Sequence, residues 1–373
     1  MKKGVKRALC LAFGTAMAIS LVACNQSSSP NSVGYGDSEY ISFVGRNGET
    51  EEGIRLYNGA AGFTVNFKGT NLSAVCTAGG SWNSYLSVFV DGKKDSNENI
   101  VRVSTGAGQV QVTLVENLEE GEHTVRVLRR NDSFRSFVTV SRVETDGVFR
   151  KISPAQGLKI EFYGDSITNG SGVLRSITKD ETTGKYNDSG LYDEVTQNAL
   201  QSYAFVASEQ LGATAQYYGR GGITLGFDSG KTVLNNPSAL AVDLDAETYP
   251  YDYAFEPDAV VIYLGTNDYF IGQSHDTGYT PDGLRAAFVR FLREVIGMRY
   301  GKEIPVVLCS GLMPPDNLYE ITENVKKQLG KEFPNLHTLN FASAKIGHPD
   351  VEDNLAAGEL LANKIKEIFE DIQ

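Results

Sequence analysis

The sequence predicts a two-domain α/β protein in which an all-β sandwich precedes a parallel sheet covered by helices on both faces. Three observations predict it. The chain has 373 residues and 41% hydrophobic composition, which is long for one compact domain and sufficient for two cores. Between residues 39 and 150 the apolar side chains recur with period two. After Pro154 short apolar runs alternate with longer segments of helical period, the pattern of strands joined by crossover helices.

The first segment, MKKGVKRALCLAFGTAMAISLVAC, carries Lys2, Lys3, Lys6 and Arg7, then an apolar run, then small residues before Cys24. That layout is a secretory signal, so residues 1–23 are set aside from the fold. Leu21-Val22-Ala23-Cys24 resembles the lipobox of bacterial lipoproteins, in which the cysteine becomes the acylated N-terminus. Cys24 is therefore the expected lipidation site, and a membrane is expected to hold the exported protein at the cell surface. Residues 24–38 are rich in Ser, Asn, Pro and Gly and predict a flexible tether.

The sandwich is read from Phe63, Val65 and Phe67, then Leu86, Val88 and Val90, then Val110, Val112 and Leu114, then Val125 and Val127. Turn signals fall between these runs, including Asp91-Gly92 and Glu120-Gly121. The only tryptophan, Trp82, reads as part of this core. In the second domain, residues 155–373, the runs KIEFY (159–163), AVVIYL (259–264) and PVVLCS (305–310) suit strands buried on both faces. Helical spacing recurs in 202–211, 284–296, 319–329 and 354–369.

Without residues 1–23 the chain keeps 30 Lys and Arg against 46 acidic residues, a balance of about −16. Such a charge argues against nucleic-acid or polyphosphate partners. Cys76 and Cys309 imply no disulfide framework. Cys309 reads as a buried strand residue, because nothing near it in sequence would stabilise a thiolate. No phosphate loop or dinucleotide fingerprint is present. The histidines are His123, His275, His337 and His348, none spaced two or four residues from another, so neither a metal nor another cofactor is expected.

Three small polar stations fall where strands of the second domain end. They are Gly164-Asp165-Ser166, Gly265-Thr266-Asn267-Asp268 and Gly347-His348-Pro349. Each has a bland reading alone: Ser166 as a helix cap, Asn267 and Asp268 as turn formers, His348 as a loop residue. Together they supply a hydroxyl nucleophile, an imidazole to take its proton, and donors for an oxyanion, which is the set that acyl transfer needs. An open α/β sheet brings such stations to one edge.

GDSIT (164–168), GRGG (219–222), GTND (265–268) and the histidine before Pro349 resemble, in order, the four blocks of the SGNH (GDSL-type) hydrolases. With GEHTVRVLRRND and KIEFYGDSIT included, the chain resembles carbohydrate esterase family 2, whose members join an N-terminal jelly roll to an SGNH domain. The likeness covers nearly all of the chain after the signal. It implies a jelly roll over 39–150 and a three-layer α/β/α domain over 155–373. It implies Ser166 as nucleophile and, through its N–H, first oxyanion donor, with Gly219 as second donor and Gly221 as the fallback, since GRGG allows a shift of register. The Asn267 amide becomes the third donor and His348 the general base. Asp268, Tyr269 and Phe270 are expected at the substrate, and the polar segment 171–197 is expected to form a loop over the site. The implied reaction is that of an acetylxylan esterase, removal of O-acetyl groups from plant polysaccharide of the mannan or xylan type.

One position departs from the pattern. Many SGNH enzymes carry an aspartate three residues before the histidine, where this chain has Lys345. A Ser–His dyad with a main-chain carbonyl orienting the ring is the first expectation, and a carboxylate from Asp350 or Asp353 the second. Two further functions share these residues. One is a carbohydrate-binding surface lipoprotein without activity; the other is a lipase or thioesterase, though the sequence shows no sign of a long apolar acyl groove.

Overall fold

The computed structural model describes residues 29–92, 100–131, 135–153, 156–179, 186–188, 190, 193–226, 254–275, 279–343 and 347–372. The signal segment, Cys24 and Lys345 lie outside them. The first domain begins with β1 (Ser32–Gly34), β2 (Ile41–Val44), β3 (Asn47–Thr50), β4 (Gly53–Leu56), β5 (Gly62–Gly69) and β6 (Leu72–Gly80). It continues with β7 (Ser84–Val90), β8 (Ile100–Val103), β9 (Gln109–Val115), β10 (Gly121–Arg129), β11 (Ser136–Thr145) and β12 (Val148–Arg150).

These strands form two antiparallel sheets. One runs β3-β4-β11-β6-β9 with β1 added to β11, and the other β12-β5-β10-β7-β8 with β2 added to β5. Alternation sends Phe63, Val65 and Phe67 of β5 inward to meet Val125 and Val127 of β10 and Ala74, Cys76 and Ala78 of β6, all buried. Burial pushes the Cys76 thiol up to about 12, so it acts as a small apolar side chain. Two expectations are corrected. The tether ends before residue 38, because Val33 of β1 is buried in the core and pairs with Val143 of β11. Trp82 is not in the core: it is half-buried just past the end of β6, with the Arg135 guanidinium 5.3 Å from its ring.

The second domain opens with β13 (Lys159–Gly164), followed by the short antiparallel pair β14 (Ile177–Lys179) and β15 (Tyr186–Asp188). Next come α1 (Tyr203–Leu211), β16 (Thr214–Gly219), β17 (Ala259–Ile262) and α2 (Thr266–His275). The remainder is α3 (Pro281–Phe291), a π turn at Leu292–Ile296, α4 (Gly297–Tyr300), β18 (Val306–Leu312), α5 (Leu318–Leu329), β19 (Leu336–Ser343) and α6 (Val351–Ile372). Parallel pairing gives the order β16-β13-β17-β18-β19. Helices α3 and α5 pack on one face over Tyr163, Val260, Ile262, Val306 and Leu308. Helices α1 and α6 cover the other over Phe162, Val261, Val307 and Cys309. That is a three-layer α/β/α sandwich.

The jelly roll docks on the α1 side through its β5-β10-β7 sheet. Ala60 and Leu128 are buried in the same apolar cluster as α1 and α6, with Val44 and Phe89 packed against it. Around that patch lie directed contacts. Arg126 forks onto Glu209 of α1 at 3.0 and 2.9 Å, and the Ala199 N–H donates to the Arg130 carbonyl at 2.9 Å.

Candidate active site

The first station sits where β13 runs out. Gly164 ends that strand so close to Thr168 that a Cβ would fall 1.8 Å from the Thr168 hydroxyl oxygen, so no larger residue fits. The backbone then enters a run of turns and not a helix. The Asp165 carboxylate, 1% exposed, accepts the Ile167 N–H at 2.9 Å, and Gly170 and Gly172 adopt positive φ of 62° and 65°. The cap read for Ser166 is thus made by Asp165, which leaves the Ser166 hydroxyl for other work.

That hydroxyl lies 2.8 Å from Nε2 of His348. The two residues are 182 positions apart, and the contact has the geometry of a nucleophile held by its base. His348 stands just before α6, where Asp350 and Asp353 form a reciprocal cap. The Asp353 N–H donates to Asp350 Oδ1 at 2.9 Å and the Asp350 N–H to Asp353 Oδ2 at 3.3 Å. Each carboxylate thus serves the first turn of the helix.

The third station opens a helix that the sequence reading missed. Thr266–His275 is α2, so Asn267 and Asp268 occupy its first turn. Asn267 donates through Nδ2 to the Ile223 carbonyl at 2.9 Å and to Asp165 Oδ2 at 3.3 Å. The first bond anchors the amide. The second is long for a bond to a carboxylate.

Asp268 departs from its expected role at the substrate. It is 0% exposed, and its two oxygens accept the Leu225 and Gly226 N–H groups at 2.8 Å each. Its carboxylate therefore braces the segment after β16. Phe270 is 42% exposed on α2, and Tyr269 stacks edge-on between Phe270 and Tyr279 with centroid separations of 5.4 and 5.7 Å.

Gly219 is buried at the carboxyl end of β16, and a Cβ there would lie 2.4 Å from Oδ1 of Asn169. Gly221 is half-buried in the turn closed by the Ile223 N–H and the Arg220 carbonyl at 3.3 Å, where Gly222 has a φ of 76°. One residue carried no sequence signal. Arg175, 5% exposed within the segment read as a loop, donates from Nη2 to the His348 carbonyl at 2.6 Å and from Nη1 to the Gly172 carbonyl at 3.0 Å. Cys309 is fully buried in β18 and burial raises its thiol strongly, so it is no nucleophile. Among the described residues no three His, Cys, Asp or Glu side chains gather as metal ligands.

A parallel sheet with helices on both faces presents a Ser–His contact and an anchored asparagine where its strands end, with a jelly roll docked beside it. The model described as GDSL-like lipase/acylhydrolase matches residues 160–373, and the chain belongs to that family. The model described as carbohydrate esterase 2 N-terminal matches residues 43–149. An acetylxylan esterase/glucomannan deacetylase from Cellvibrio japonicus is 24% identical over 255 residues, which span 64% of this chain and 65% of that enzyme. The chain thus aligns with somewhat less than two thirds of that relative's length. An acetyl xylan esterase from Butyrivibrio proteoclasticus has the same fold, with a TM-score of 0.75 at 17% identity, covering 91% of this chain and 98% of the other. A family two carbohydrate esterase from Clostridium thermocellum, solved with cellohexaose, gives 0.73 at 22% identity, covering 88% and 99%.

Proposed function

We propose that the protein is a serine esterase that removes O-acetyl groups from plant cell-wall polysaccharide of the mannan or xylan type. The observation that carries the reading is the 2.8 Å contact between Ser166 Oγ and His348 Nε2 at the edge of a GDSL-family sheet. His348 takes the Ser166 proton as Oγ attacks the acetyl carbonyl. The oxyanion accepts from the Ser166 and Gly219 N–H groups and from the Asn267 amide. Collapse breaks the ester bond, and His348 returns the proton to the departing sugar hydroxyl. Water, deprotonated by His348, then attacks the acetyl-serine and releases acetate, with the proton restored to Ser166.

The catalytic pair is a dyad in this reading. Its support is that Lys345 stands where many SGNH enzymes carry the orienting aspartate; Asp350 and Asp353 each lend one oxygen to the other's amide at the start of α6. Phe270 and Tyr269 are the aromatic surface against which a sugar ring packs. Names borne by the relatives, acetylxylan esterase/glucomannan deacetylase and acetyl xylan esterase, support the substrate class. The test compares purified wild type and Ser166→Ala on acetyl, butyryl and longer nitrophenyl esters and on acetylated xylan and glucomannan. Acetate release by wild type and a loss of at least about 10³-fold in Ser166→Ala are expected. Wild type inert on every acetyl ester is the outcome for a binding lipoprotein, and preference for long chains is the outcome for a lipase.

The N-terminal segment supports export and lipid anchoring through Cys24. Labelled palmitate is expected to enter the wild-type protein and not Cys24→Ser; equal labelling of both contradicts the anchor.

A further inference from the structure

We propose that Asn58, a residue of the β-sandwich, is a positioning residue for the hydrolase, holding the backbone that carries the oxyanion donor. The inference rests on the serine-esterase reading given above. Asn58 lies in the turn between β4 and β5, is 1% exposed, and donates from Nδ2 to the Gly219 carbonyl at 2.8 Å. The bond crosses from one domain to the other over 161 residues of sequence.

The turn itself is fixed. The Asn58 carbonyl accepts the Ala61 N–H at 3.2 Å, and Ala60 and Ala61 exchange bonds with Arg129 of β10 at 2.8 Å each. Gly59 meets Ala199 of the second domain so tightly that a Cβ would lie 2.3 Å from the Ala199 methyl. Beside it Arg46 donates from Nη1 to the Tyr218 hydroxyl at 2.6 Å, its guanidinium 4.6 Å from that ring's centroid. Two sandwich residues therefore grip the last two residues of β16.

Gly219 explains why a grip is needed. The Asn169 side-chain amide lies where a Cβ would be, so a larger residue would have to displace it. Glycine also leaves its own φ and ψ soft. Oxyanion stabilisation depends on a donor whose direction is set before the charge develops. A bond to the Gly219 carbonyl fixes the peptide plane between Gly219 and Arg220. With the Gly219 N–H held in β16, that bond restrains the Gly219 ψ that relates it to the next peptide, and it anchors one end of the turn that carries the Gly221 N–H. Asn58 supplies the restriction that the missing side chain cannot, and the site is complete only with the sandwich docked.

The test uses the full protein and nitrophenyl acetate, with the rate of inactivation by diethyl nitrophenyl phosphate as a second readout, since charge also builds on the phosphoryl oxygen as Ser166 attacks. Asn58→Ala and Asn58→Asp are expected to lose about 10- to 100-fold in kcat with KM within about twofold, and to react with the phosphate ester correspondingly more slowly. Arg126 makes no bond to Tyr218 or Gly219; Arg126→Ala removes the ion pair to Glu209 across the same domain boundary, and its kcat is expected within about twofold of wild type. Should Asn58→Asp fail to fold, Asn58→Ser, which keeps a donor, is expected to exceed Asn58→Ala in kcat. The inference is overturned if Asn58→Ala keeps wild-type kcat, if its loss lies in KM, or if Arg126→Ala loses as much. An inactive wild type, or an active Ser166→Ala, removes the esterase reading and this inference with it. Active wild type, dead Ser166→Ala and unimpaired Asn58→Ala remove the inference alone.

Discussion

Arg175 donates to the main chain of His348 from 173 residues upstream. Ser166 and His348, which the structure brings to 2.8 Å, each sit in a short block whose residue types suggest a chemical step. Arg175 could not be read in this way, because what it touches is a carbonyl, and any residue at position 348 would offer one. Its buried guanidinium fixes the backbone at the base of the imidazole, as the Gly172 carbonyl fixes the guanidinium. Arg175→Met is expected to lower kcat about tenfold or more with KM unchanged, since a small displacement of a base costs rate and not ground-state binding. Arg175→Lys keeps one donor and should recover part of the loss. Steady-state kinetics on nitrophenyl acetate check this, and an equal loss in both variants, or one confined to KM, contradicts a positioning role. Asp268 teaches the converse: it stands beside a site residue in sequence, yet its carboxylate is spent on the Leu225 and Gly226 amides.

The elements legible in the sequence are those that see one environment. β13, β17 and β18 occupy the middle of the sheet, so their apolar runs are nearly unbroken and stand out. β16 and β19 are its edges, and their sequences, TAQYYG and LHTLNFAS, mix polar with apolar residues as singly paired strands do. Helices α1, α3, α5 and α6 each press a continuous apolar face on the sheet. Helix α2 has no such stripe, because TNDYFIGQSH spends its first turn on Asn267 and Asp268 and exposes Phe270. Its start therefore reads as a turn in the sequence. The cap reading of Ser166 fails for a local reason: the Asp165 carboxylate takes the Ile167 amide and two left-handed glycines follow within seven residues.

At the scale of the whole molecule the joint between the domains belongs to the site, and it carries a titratable group. Glu194, in a 3-10 turn of the second domain, accepts the Asn83 N–H at 2.9 Å, the Asn83 side-chain amide at 2.8 Å and the Tyr85 hydroxyl at 3.1 Å, all from the sandwich. Burial acts to raise the Glu194 carboxyl, but the Asn83 and Tyr85 donors outweigh it and hold the group below its ordinary value. A depressed folded value means that the unfolded chain binds the proton first as acid is added. The contact therefore stabilises the docked protein fully above the unfolded glutamate value of about 4.3, and that contribution disappears as pH falls through the lower folded value. Replacing the carboxylate removes the pH dependence along with the charge. Glu194→Gln is expected to melt below wild type at pH 7, with the gap between their melting temperatures narrowing from about pH 5 toward pH 3. Thermal unfolding of both proteins across that range checks it, and a gap that stays constant contradicts the assignment. Asn58 and Arg46 reach Gly219 and Tyr218 across the same joint, so the contact that titrates and the contacts that hold the end of β16 share one boundary.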